Sequence, residues 1–353
     1  MEICVLLSIL NKKAGIFCLL LISVCANAQQ KPYILDFGDL NINNTSLKKQ
    51  ITLVRQDACR NKTNDTLAVY FYNTKGQKNR SLTYEKNKLY YATNTTFNDD
   101  NKVLLHSTFY NDKTRGEGII KFGYKNKREV SLGNYDLGLK KDTLYKNLGT
   151  KQYDKNGNLI AEDTSLGLIK TYFYNSKNQK LAEIEGNKNN AYRKKTNYFY
   201  QDGLLVRTET YTSFVKPSDS ALTESHDYIY NLKKLLVEEK YKNSSSKDEQ
   251  FNQYFYNDEN QLIRMKLAKG DYFMDVEYEY SSGKITRQFG SANTTYAFSE
   301  FYIPLSSCGL GANKSKFQYR ADYVYDAKSN LIKLDRYVND KLIISTEYIL
   351  EYY

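Results

Sequence analysis

The stretch Tyr254-Phe255-Tyr256-Asn257-Asp258-Glu259-Asn260-Gln261-Leu262-Ile263 is rewritten many times along this chain. It reads as a strand, a tight turn and a returning strand, because alternating apolar residues flank a cluster of turn formers. A three-residue hairpin loop commonly ends in a left-handed residue, a conformation that Gly or Asn tolerates best. Around Tyr256 that residue is Asn260, which sets Tyr256 opposite Leu262. The same count sets Tyr153 opposite Leu159 over a loop ending in Gly157, and Phe97 opposite Val103 over one ending in Asn101. Where the loop shortens to two residues the pair persists. Asp202-Gly203 sets Tyr200 against Leu205, Ser282-Gly283 sets Tyr280 against Ile285, and Lys86-Asn87 sets Tyr84 against Leu89. One aromatic–aliphatic pair kept over two loop lengths argues for hairpins, since each such pair contributes about 0.2–1 kcal/mol. Tyr325 and Leu331 carry the pair into the last copy, whose loop at Ser329 lacks the Gly/Asn signature. Substitution there is expected to strain the backbone less than at Gly203.

Composition agrees with strands. The 353 residues include 34 Tyr but only 3 Pro and no Trp, so strand formers abound and ladder donors are rarely lost. Turn-proximal tyrosines at Tyr153, Tyr174, Tyr200, Tyr230, Tyr256 and Tyr280 recur roughly every 25 residues, the mark of a repeat array. The expected fold is all-β: an elongated, curved antiparallel sheet of serial hairpins over residues 68–353. Residues 29–67 lack the repeat and read as an N-terminal leader that caps the first hairpin. Insertions are expected at 212–227, around Pro217, and at 290–318, around Pro304 and Cys308.

The form Tyr-Asp-x-x-Gly-x-Leu at Tyr153 to Leu159 resembles the YD repeats of Rhs-type proteins, with similar repeats in teneurins and in the shells of insecticidal toxin complexes. The resemblance runs from about Tyr70 to the end. Tyr153-Asp154 and Tyr325-Asp326 keep the Tyr-Asp pair, while other copies follow Tyr with Asn, Gln, Ser or Glu. It implies a continuous antiparallel sheet curling into a spiral or shell segment. The family usually adds a C-terminal core and often a toxin domain, and the sequence ends at Tyr353 without them, so a toxin role is the less expected one.

The first 28 residues read as a signal peptide. Lys12 and Lys13 precede the apolar run Ala14 to Val24, and Ala26-Asn27-Ala28 offers small residues for cleavage after Ala28. The rival readings are an uncleaved anchor and a lipoprotein modified at Cys25. Cleavage implies export to the periplasm, cell surface or medium, with no membrane span left. It also removes Cys4, Cys18 and Cys25, leaving Cys59 and Cys308 either as a disulfide or as two separate thiols.

No catalytic, cofactor or metal site is legible. His106 and His226 lie far apart and outside any metal-ligand spacing. Ser225-His226-Asp227 holds the letters of a triad, but neighbours on a strand point to opposite faces, and His226 reads as a polar loop residue. Gly309 to Ser315 lacks phosphate-loop spacing and reads as a flexible insertion. The net charge of +11, with so many tyrosines, hints at single-stranded nucleic acid. Export argues against nucleic acid and leaves anionic envelope polymers as the alternative attraction. The expected function is an exported, non-catalytic scaffold or binding surface, with an envelope polysaccharide or surface protein as partner. The alternatives are a glycan-active enzyme whose carboxylates converge only in three dimensions, or a remnant of a toxin-delivery shell. An outer-membrane barrel would need apolar lipid-facing positions on every strand. Arg264 and Lys266 alternate with Met265 and Leu267 instead. Tyr254 and Tyr256 share one face of their strand and Phe255 takes the other, so aromatics line both faces.

Overall fold

The computed structural model describes residues 47–57, 62–111, 117–137, 143–164, 167–187, 192–213, 220–293 and 316–353. Residues 1–28, read above as a signal peptide, Cys59, Cys308 and the Gly309 to Ser315 stretch lie outside them. The described residues form twenty-two strands in one antiparallel sheet, from β1 (Leu47–Asp57) and β2 (Lys62–Tyr72) to β22 (Lys341–Tyr352). Each strand pairs with the next in sequence, and β1 also pairs with β22. The sheet is therefore a closed up-and-down barrel, not the elongated open array expected from the repeats.

The closing strand comes from the segment read as a leader. Residues 29–67 supply β1 and half of β2, and the seam runs from Leu47 opposite Tyr352 to Asp57 opposite Ile344. An open array would expose two unpaired edges, and closure removes both. Two surface ion pairs cross the seam, Lys48 to Glu351 at 2.6 Å and Arg55 to Glu347 at 2.7 Å. The Tyr353 hydroxyl donates to the Tyr72 carbonyl beyond it. The repeat announces serial hairpins, but the residues that join the first to the last carry no copy of it.

The barrel has two chemically different ends. One end carries the repeated turns. In each five-residue copy an Asn or Asp after the aromatic accepts the backbone N–H four residues on, as Asn257 does from Gln261 at 2.8 Å and Asp326 from Asn330 at 2.8 Å. Only an acceptor oxygen is needed, so Asn replaces the Asp of Tyr-Asp without loss. The two side chains also match each other. Asn73, Asn175 and Asn257 donate to Gln77, Gln179 and Gln261, whereas Asp154 accepts from Asn158, each at 2.8–2.9 Å. That amide and the turn N–H groups hold the Asp154 carboxyl below its ordinary range.

At this end the pairs foreseen in the sequence are in register: Tyr153 with Leu159, Tyr200 with Leu205, Tyr256 with Leu262, Tyr280 with Ile285 and Tyr325 with Leu331. Each sits beside a register shift. Phe255 faces Arg264 and Tyr256 faces Leu262, so Ile263 is the extra residue of a β-bulge. The bulge resets the alternation, which puts Leu262 and Met265 both inside, three positions apart. Leu236 with Glu239, and Leu331 with Leu334, repeat that spacing.

The opposite end carries the variable connections. The expected insertions are shorter than drawn, because Ala221–Tyr230 forms strand β14 and Lys284–Ala292 forms strand β19. His226 accordingly lies within a strand, not in a loop.

Gly157, Gly203, Gly283 and Asn260 all have positive φ, between 63° and 92°. So does Ser329, at 66°, which corrects the expectation of a relaxed backbone there. The turn's hydrogen bonds dictate the conformation whichever residue occupies it. A Cβ at Gly203 would meet nothing within 4 Å, so any penalty there is purely conformational. Gly203→Val should therefore cost about 1–2 kcal/mol, and Ser329→Gly should raise stability by up to ~1 kcal/mol. Denaturant unfolding of both variants checks this, and a destabilised Ser329→Gly would show the turn assignment to be wrong.

Candidate functional site: the tyrosine-lined interior

Alternation from the turns sends the outer two tyrosines of each Tyr-x-Tyr triplet inward. The turn-proximal tyrosine meets a specific backbone need. Between neighbouring hairpins the ladder stops two or three residues short of the turn: at Arg207 opposite Asp227, at Glu238 opposite Gln253 and at Arg264 opposite Glu277. The next inward residue, Leu205, Leu236 or Leu262, has a carbonyl that the splayed strand no longer reaches. The hydroxyls of Tyr230, Tyr256 and Tyr280 donate to those three carbonyls at 2.8–2.9 Å. The same bond joins Tyr124 to Val103, Tyr174 to Leu159, Tyr200 to Lys180 and Tyr325 to Ile285, at 2.7–3.0 Å. A buried carbonyl without a donor costs about 1–3 kcal/mol, which favours Tyr over Phe at these seven positions.

A second tier lies one step deeper. Tyr172, Tyr254 and Tyr323 donate to side chains on the preceding hairpin, namely Glu162 at 3.2 Å, Glu239 at 3.3 Å and Gln288 at 2.9 Å. Burial is the main cause that raises the pKa of Tyr172 and Tyr254, with the neighbouring carboxylates adding to it. Both therefore stay protonated donors.

The most concentrated polar chemistry of this tier surrounds Glu239, which is only 1% exposed. Its carboxylate contacts His226 Nδ1 at 3.1 Å and accepts from the Asn252 amide at 3.1 Å and from the Tyr254 hydroxyl. The His226 ring lies 4.5 Å from Tyr241 and stacks on Tyr228 at 5.9 Å. Carboxylate, imidazole and phenol are the groups of general acid–base chemistry. Here they belong to the same tyrosine-and-acceptor tier that recurs at Glu162 and Gln288. Sequence reasoning missed Glu239 because its partners lie thirteen and fifteen residues away. The usable signal was its place three residues after Leu236, the bulge-reset inward position. His106, in strand β5 (Val103–Tyr110), is also inward and contacts Thr95 Oγ1 at 2.9 Å, with burial lowering its pKa. The other inward carboxylates are engaged: Glu129 by Lys151 at 2.8 Å, Glu183 by Lys180 at 3.0 Å and Glu185 by Lys170 at 3.2 Å. Among the described residues no group of three metal-ligating side chains converges.

The outer face is charged over much of the sheet. Arg264 forks onto Asp275 at 2.7 and 2.8 Å, and Arg287 and Arg320 share Asp322. Charged outside and tyrosine-lined inside is the reverse of a lipid-facing barrel surface. No helix among the described residues is long and apolar enough to cross a membrane.

No protein-family model matches the chain, and no curated protein matches it. Solved structures with a similar fold include a complex of the toxin components TcdB2 and TccC3, at 14% identity and TM-score 0.45 over 80% of this chain and 16% of that one. The Photorhabdus luminescens Tc holotoxin pore matches at 12% identity and TM-score 0.42, over 81% and 17%. A porin-like protein from Bacteroides uniformis matches at 10% identity and TM-score 0.28, over 86% and 98%. The chain spans about one sixth of the toxin chains it matches. No activity or partner follows from likenesses of this size.

The first tier gives the protein a definite alkaline limit. Burial raises the hydroxyls of Tyr200, Tyr230, Tyr256, Tyr280 and Tyr325 to about 12. Their unfolded value is about 10. Because the folded pKa is the higher, this stability is fully present below about pH 10 and is lost as pH rises through 12. Alkaline titration followed by tyrosinate absorbance and circular dichroism should show the two signals changing together in that window. Ionisation of these tyrosines at pH 10 with the sheet intact would contradict the assignment.

Proposed function

We propose that this chain is an exported, non-catalytic scaffold whose closed barrel presents an external apolar row to a partner protein at the cell envelope. Export rests on the signal-like residues 1–28. The observation that carries the binding role is the middle residue of the triplets. Phe173, Phe199, Ile229, Phe255 and Val324 stand on the outer face near the repeated turns, each more than 40% exposed. Leu181 and Ile263, exposed beside bulges, continue the row. A cation flanks it: Lys266 lies 5.8 Å from the Phe255 ring. A row of apolar side chains repeated around a rigid barrel is the kind of surface that marks an interaction site. Aromatic rings alone would suit sugars, but Ile229, Val324 and Ile263 offer no stacking face, which favours a protein with apolar and acidic groups.

Immobilised mature protein should capture envelope material in a salt-sensitive way. The triple variant Phe173→Ser, Phe199→Ser, Phe255→Ser should lose most of that capture while keeping its melting temperature, since these side chains leave no cavity. Protease treatment of the extract should abolish capture. Capture that survives protease would reassign the partner to a polysaccharide, and unchanged capture by the triple variant would overturn the proposal.

A further inference from the structure

The outer face also holds a feature that the apolar row does not use. Strand β12 (Arg193–Gln201) places Arg193, Lys195 and Asn197 on the outside at alternate positions, away from the inward Tyr198 and Tyr200. Tyr211 lies directly opposite Lys195 on strand β13 (Leu204–Ser213). With Ser220 these residues line a shallow concavity of about 340 Å³. That volume lies at the lower end of small-ligand sites. It runs toward the variable end of β12, from Asn197, about 7 Å along the strand from Phe199, to Arg193, about 20 Å from it.

Charge distinguishes this place from the hairpins that follow it. On the hairpins that follow, the outward arginines answer carboxylates: Arg207 to Glu209 and Asp227, Arg264 to Asp275, and Arg287 to Asp322. Arg193 and Lys195 form no ion pair among the described residues. The carboxylate beside the concavity, Glu209, is already held by Arg207 at 2.7 Å and by the Tyr211 hydroxyl at 2.9 Å. The intervening Lys194 turns inward and meets Glu224 at 3.7 Å. Two adjacent cations without a carboxylate partner among the described residues, set on a concave wall, attract an anion, and a guanidinium suits an oxyanion that it can grip with two N–H groups. The wall also has a neutral side. Gly186 stands opposite Arg193 without a side chain, Ile184 lies opposite Lys195, and Leu222 lies opposite Tyr211. The phenol ring and these aliphatic neighbours can pack on the carbon face of a ring, while the Asn197 amide can meet hydroxyl groups.

We infer that Arg193, Lys195, Asn197 and Tyr211 form a binding site for an acidic sugar, a pyranose bearing a carboxylate or sulfate. The cations hold the acid group, and the tyrosine and amide hold the ring. This site adjoins the proposed protein-binding row at Phe199 but uses different residues and does not depend on it.

Calorimetric titration of the full mature chain with a galacturonate trisaccharide, a sulfated disaccharide and a neutral galactose trisaccharide tests the assignment. At least one acidic sugar should bind with one-to-one stoichiometry, at least tenfold tighter than the neutral one, and which acidic arm binds identifies the anion. The double variant Arg193→Ala, Lys195→Ala should weaken that binding at least tenfold. Lys155→Ala with Lys177→Ala, the same charge change on exposed turns at the far end, should leave it unchanged. The Phe-row triple variant should bind the sugar like the wild type. Absence of binding by both acidic sugars, equal binding of the neutral one, or equal loss in the turn-lysine control would overturn the proposal.

Discussion

Every hairpin junction at the repeated end of this barrel faces the same problem. Neighbouring hairpins splay near their turns, and one inward carbonyl per junction loses the strand that would have served it. At seven junctions among the described residues the turn-proximal tyrosine solves this by laying its ring along the inner wall and donating its hydroxyl to that carbonyl. The bulge beside each tyrosine, the left-handed residue of the turn and, in the five-residue copies, the Asn or Asp after the tyrosine fix where the hydroxyl arrives. The bond is worth only about 1 kcal/mol net, but an orphaned carbonyl on the inner wall costs more than that.

From this follows the polarity of the molecule. Inward tyrosines need acceptors, so the next inward position holds Glu162, Glu183, Glu239 or Gln288, and the lining becomes a lattice of phenols and their acceptors. Toward the end of the sheet apolar residues take over, with Leu331, Leu334 and Val276 fully buried. The outer face is left to ion pairs, the apolar row and the concavity at Arg193. The carboxylates inside are occupied in holding it together.

Much of this was legible in the sequence, and the gaps have physical causes. The Tyr256–Leu262 and Tyr200–Leu205 pairs could be read because turn chemistry fixes register over six or seven residues. Closure could not, because Leu47 and Tyr352 meet across the whole length of the chain and neither lies in a turn signature. Ser329 was misjudged because residue type was taken as the guide to backbone conformation, whereas the bonds of Asp326 to Lys328 and Asn330 dictate it. His226 was placed in a loop because its strand has polar residues on both faces, so alternation is faint. Its partner Glu239 sits on the next strand, in a register that only the bulge after Tyr230 defines. The concavity at Arg193 was invisible because it depends on which cations lack carboxylates across the ladder.

The central claim is that tyrosine hydroxyls, rather than tyrosine rings, seal the hairpin junctions. Its most direct test is stability measured on single and combined Tyr→Phe variants at Tyr230, Tyr256 and Tyr280, which keep the ring and delete one oxygen. Denaturant unfolding should show each variant losing about 1–3 kcal/mol, with the losses nearly additive because the junctions are separate. Faster amide hydrogen exchange should appear around Leu205, Leu236 and Leu262 respectively. Variants as stable as the wild type, with exchange unchanged at those residues, would show that the rings alone hold the barrel and that the hydroxyl ladder is incidental.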